Sequence, residues 1–101
     1  MTIDYIYYPE ADNVHDGIVL RLSNHGDVAV RYAFTLIFRA PEADTTAVVR
    51  GRLGAGEMKT GEPAGLFWIP FREEDRRLAE IGLRGLDIQP LHDRPNRPLP
   101  P

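Results

Sequence analysis

The stretch Val28-Ala-Val-Arg-Tyr-Ala-Phe-Thr-Leu-Ile-Phe-Arg39 places an apolar residue at every even position: Val28, Val30, Tyr32, Phe34, Leu36 and Phe38. Among its odd positions are Arg31, Thr35 and Arg39. Side chains of a β-strand point alternately to opposite faces, so this period of two predicts one long strand with a buried face and a wetter face. Just upstream, residues 17–23 repeat the pattern, with Ile18, Leu20 and Leu22 on one face and Val19, Arg21 and Ser23 on the other. Between the two runs lies Asn24-His25-Gly26-Asp27. Asn and Gly tolerate positive φ, so the two strands are expected to form a hairpin.

Working outward, residues 2–8 are rich in Tyr and Ile, read as a strand, and stop at Pro9. Residues 10–16 are polar and turn-prone. After Arg39 we expect a loop at 40–44, a strand at 45–53 and a glycine-rich connection at 54–61. Residues 66–71 form an aromatic strand whose Pro70 must sit at an edge, a bend or the strand's end, because proline cannot donate to a ladder. A charged turn at 72–77 then precedes a last strand at 78–89. Residues 73–83 also fit a short helix, with acids early and Gly82 near a C-terminus. The strand is preferred because Ala79, Ile81 and Leu83 alternate, and Leu86 and Ile88 resume after a one-residue slip at Arg84-Gly85, as a bulge would produce.

Six or seven short strands with turns between them predict an all-β fold, an antiparallel β-sandwich of about seven strands, for which the resemblance given below implies the immunoglobulin-like form. It spans residues 1–91. Residues 92–101 hold four prolines and read as an extended, polyproline-like tail.

The order of these strands and turns resembles bacterial immunoglobulin-like domains of the FxLYD type. Phe34-Thr35-Leu36 stands where Phe-x-Leu would, with Ile37 and Phe38 replacing Tyr and Asp. Leu53-Gly-Ala-Gly-Glu57 resembles the later Leu-x-Pro-Gly-Glu turn, with Ala55 in place of proline. The resemblance runs from about residue 17 to 88. It implies a small non-catalytic sandwich serving as an adhesive, spacer or assembly module, and it transfers no catalytic residue.

Composition narrows the function classes. The 101 residues suit one domain, and 43% hydrophobic residues can form a core. With no cysteine there is neither a disulfide framework nor a cysteine-ligated metal, which leaves the compartment open. A net charge of −3 argues against a general nucleic-acid binder. Met-Thr-Ile-Asp at the start has no basic or apolar leader character, and no apolar run approaches the ~20 residues that span a bilayer, so no membrane insertion by this chain is expected.

Catalytic patterns are equally thin. Residues 51–56 lack the Gly-Lys-Ser/Thr ending of a phosphate loop. Ser23, the only serine, has His25 nearby but no acid or oxyanion site placed around it. Asp12, Asn13, His15 and Asp16 form the best metal candidate, but without a full calcium-loop pattern or a second histidine they read as a solvated loop. Glu73, Glu74 and Asp75 look like a solvated turn rather than paired catalytic acids. No enzyme activity, cofactor or metal is expected, and a small-molecule ligand is disfavoured.

Two surfaces suggest protein subunits as partners. Eleven of the twelve basic residues are arginine. Arg21, Arg31 and Arg39 occupy the face opposite the apolar series, and arginine is favoured at interfaces. The tail supplies Arg94, Arg97, Pro98, Leu99 and Pro100, residue types that dock in aromatic grooves. The expected role is a protein–protein interaction module, an accessory or structural subunit of a larger bacterial assembly. The alternative is a carbohydrate-binding module using Tyr5, Tyr7, Tyr8 and Trp68, set against the core's own need for rings that bury ~150–250 Å² each.

Overall fold

The long apolar alternation becomes β3 (Val30–Ala40), the centre of a three-stranded antiparallel sheet between β4 (Ala43–Leu53) and β7 (Glu80–Pro90). The structure is a computed structural model that describes residues 1–12, 14–72 and 77–91. In the second sheet β2 (Gly17–Ser23) is central, with β1 (Thr2–Tyr8) on one side and β5 (Met58–Thr60) and β6 (Phe67–Trp68) on the other. Seven strands in two antiparallel sheets make the all-β sandwich that the alternation predicts. Tyr32, Phe34, Leu36 and Phe38 from β3 are buried in one cluster with Ile18, Leu20 and Leu22 from β2. Each such side chain contributes roughly 1.5–3 kcal/mol on burial, so these two central strands carry most of the fold.

The expected β2–β3 hairpin is not formed. The two strands lie in different sheets, and residues 24–29 cross between them. Neither Asn24 nor Gly26 adopts the positive φ that a tight hairpin turn would require. Asn24 is instead buried, and its Nδ2 donates to the carbonyls of Val28 (2.9 Å) and Gly54 (3.0 Å) while its Oδ1 accepts from the Gly26 N–H (3.0 Å). A buried amide must find partners, and here they fasten the crossover to the end of β4.

The connection after β3 is tighter than the loop expected at 40–44. Ala40 pairs with Ala43, which leaves Pro41 and Glu42 at the turn, Glu42 with φ 64°. β5 forms inside the glycine-rich connection, where no strand was expected, and β6 is shorter than the aromatic run that contains it. In β7 the strand reading holds over residues 80–90. Ala33 faces Asp87 and Thr35 faces Arg84, so β7 carries one extra residue there, and Gly85 (φ 66°) supplies the left-handed bulge conformation. The slip keeps Ile81, Leu83 and Ile88 opposite Phe38, Leu36 and Tyr32. No helix among the described residues is long and apolar enough to cross a membrane. The tail at 92–101, with Arg94, Arg97, Pro98, Leu99 and Pro100, lies outside the described residues.

Candidate functional site

Residues directly opposite each other in an antiparallel pair share a face of the sheet. Tyr5 faces Leu20 and Tyr7 faces Ile18, so both belong to the core-facing series of β1; Leu83, opposite Leu36, belongs to that of β7. Yet Tyr5 is 58% exposed, Tyr7 40% and Leu83 40%, and Leu86 beside the bulge is 50% exposed. The two sheets therefore stop short of closing along β1 and β7. A groove of about 390 Å³ runs there between Tyr5 and Tyr7 on one wall and Leu78, Ala79, Glu80 and Ile81 on the other.

One end of this flank is held by a buried carboxylate. Asp16 is 3% exposed and accepts from the backbone N–H of Glu10 (3.1 Å) and of Leu78 (3.0 Å), and from Arg77 Nε (3.0 Å). It thus ties the loop after β1 to the approach to β7. Burial by itself would raise the Asp16 pKa, but the Arg77 guanidinium and the two backbone donors outweigh it and hold the group at about 2. Nothing in the local sequence marks Asp16 for this role, because Arg77 and Leu78 lie about sixty residues further along the chain.

The loop around Asp16 was the best metal candidate by composition. In the structure Asp12 accepts from the Val14 and His15 backbone N–H groups and meets the His15 ring at 3.1 Å. Those contacts, the His15 N–H foremost, lower its pKa to about 2. Asp12 and Asp16 turn to different partners, Asn13 lies outside the described residues, and no metal-ligating group of three side chains is found among those described.

The aromatic residues separate. Tyr8, opposite Gly17, is on the outer face and 44% exposed. Trp68, opposite Ile18, turns inward and packs its ring 6.0 Å from that of Phe38. Its neighbour Phe67 shares the outer face with Val19.

The arginines do not make one surface. Because β2 and β3 sit in different sheets, Arg21 lies on one outer face of the sandwich while Arg31 and Arg39 lie on the other. Arg21 pairs with Asp4 (3.1 Å) and Arg39 with Asp44 (3.5 Å). Arg31 stands directly opposite Arg52, and neither has an ion-pair partner among the described residues. Like charges directly opposite are destabilising, so this end of the sheet holds uncompensated positive charge. Set against family models, curated proteins and solved structures, the chain finds no match, and its own geometry carries the functional reading.

Proposed function

We propose that this chain is a non-enzymatic protein–protein interaction module, an accessory or structural subunit of a larger assembly, and that it makes contact along its open flank. The observation that carries this reading is the exposure of the core-facing side chains Tyr5, Tyr7 and Leu83, with Leu86 beside the bulge, on both strands that border the opening. Exposed apolar surface of this kind, rimmed by polar groups, marks interaction sites. The Arg31 and Arg52 pair offers a second, electropositive contact on the adjoining outer face. A photo-crosslinking residue at Tyr5 tests the reading, with the same residue at Val48 on the outer face of β4 as control. Cross-links to protein from position 5 and few from position 48 are expected. Equal yields, or none from position 5, overturn it.

A carbohydrate platform is the second reading, favoured by the exposed ring of Tyr5 and by Tyr8 on the outer face. It draws no support from Trp68, whose ring lies against Phe38. A glycan array without hits removes it.

A further inference from the structure

Among the described residues β7, eleven residues long, has a single neighbour, β3, so along its other edge about every second residue turns its backbone N–H and C=O away from the ladder. Such an edge is a template for pairing with another strand. The residues that follow it, 92–101, include four prolines and so lack four of the N–H donors a ladder needs. We propose that β7 pairs antiparallel with β7 of a second copy of this chain, in a two-fold contact that joins the two β4–β3–β7 sheets into one. The inference rests on the reading of the open flank as a contact surface and names the occupant of its β7 side.

Charge selects this occupant. Arg84 and Asp87 both lie on the outer face of β7, opposite Thr35 and Ala33 of β3, and neither has an ion-pair partner among the described residues. An antiparallel pair in which Arg84 faces Asp87 of the second copy sets Asp87 against Arg84 of that copy as well. One alignment therefore makes two cross-strand ion pairs. The same alignment puts Leu83 opposite Ile88 of the second copy, and Leu86 opposite its Gly85, where there is no side chain to clash.

The bulge makes this alignment consistent with the faces. In an unbroken strand, residues related by a two-fold axis through the sheet share parity, and Arg84 could not face Asp87. The slip at Gly85 moves the core-facing series from Ile81 and Leu83 to Ile88, and the outer series from Arg84 to Asp87. Outer residues then meet outer residues, and core-facing residues meet core-facing ones. The apolar side chains left exposed at Leu83 and Leu86 become covered. The other edge of this sheet, β4, has less to gain, since its core-facing Val49 and Leu53 are already buried.

Sedimentation velocity over micromolar to near-millimolar concentrations, with Arg84→Glu, Asp87→Arg and the double exchange, tests the pairing. Wild type is expected to dimerise. Each single reversal turns two attractive pairs into two repulsive ones and should raise the dissociation constant roughly tenfold or more. The double exchange should restore it, and an equimolar mixture of the two single variants should form a heterodimer. Circular dichroism checks that each variant is folded. Should one fail to fold, amide exchange on wild type decides, because protection of β7 must rise with concentration. A monomeric wild type, a dimer indifferent to the reversals, or a mixture that stays monomeric overturns the pairing. If the wild type is monomeric but Tyr5 still cross-links to a different protein, the self-pairing falls and the interaction reading stands. Absence of both removes both.

Discussion

The two long flanks of the sandwich are built from the same kinds of strand and end differently. Along β4 and β5 the sheets meet: Leu53 is fully buried, Val49 and Leu66 nearly so, and Lys59 Nζ of β5 donates to the Arg52 carbonyl of β4 at 2.8 Å. Along β1 and β7 they part in the middle: Ile3, Ile81 and Ile88 still pack against the core, whereas Tyr5, Tyr7 and Leu83 of the same core-facing series stand 40–58% exposed. The difference is not one of composition, since the open flank is the more aromatic. A side chain's fate is set by whether the opposite sheet reaches it, which alternation along a single strand does not encode.

Truncating one apolar residue on each flank tests the difference most directly. Leu53→Ala should cost about 2–5 kcal/mol in chemical denaturation, through lost burial and a cavity. Leu83→Ala on the open flank, compared at a protein concentration low enough for the chain to be monomeric, should cost less than about 1 kcal/mol, as partly exposed sites do. Equal losses would mean that the flanks do not differ in closure.

Asp16 is the buried polar link that crosses the open flank, and Asp16→Asn should cost roughly 2–4 kcal/mol by leaving donors poorly matched. Its folded pKa of about 2 lies below the ordinary 3.8, so its contribution is complete above about pH 4 and is lost as the pH falls through 2. The stability of wild type should therefore drop across that acid window more steeply than that of Asp16→Asn, as followed by thermal melts.

On the closed flank, a Cβ at Gly51 would lie 2.6 Å from the hydroxyl of Tyr32, a buried residue directly opposite. Gly51→Val should cost about 1–3 kcal/mol by overpacking, read from the shift of the urea midpoint. The smallest effect concerns the turn that starts β4. Glu42 holds φ 64°, a conformation that disfavours a side chain, and Glu42→Gly should gain about 0.5 kcal/mol in the same measurement.

Much of this architecture was legible from residue order. β1 and β2 fall where the apolar runs begin and end, and the slip at Arg84-Gly85 announced a bulge that the positive φ of Gly85 delivers. Period two tells which residues share a face of a strand, and it holds for β3 from Val30 to Ala40, whereas Val28, the first residue of the alternating run, precedes the strand and is exposed. It does not tell which strands share a sheet. That is why the sequence around Asn24 predicts a hairpin turn where the residue is a buried fastening of a crossover, and why alternation alone puts Arg21 with Arg31 and Arg39 although they lie on two opposite surfaces. The exposure of Tyr5 and Tyr7 was hidden for the same reason, because it depends on a strand more than seventy residues away.

Lys59 is the single lysine of the chain, and no cysteine is present. Its ammonium sits on the closed flank against the Arg52 carbonyl, on the far side of the sandwich from β1 and β7. A lysine-selective dye or surface linker would therefore attach at one side-chain position and leave the opposite flank facing solution. A thiol introduced at Leu86 would have no competitor for a second, orthogonal label. The molecule thus comes with its own addressable back, from which its open side can be displayed to candidate partners.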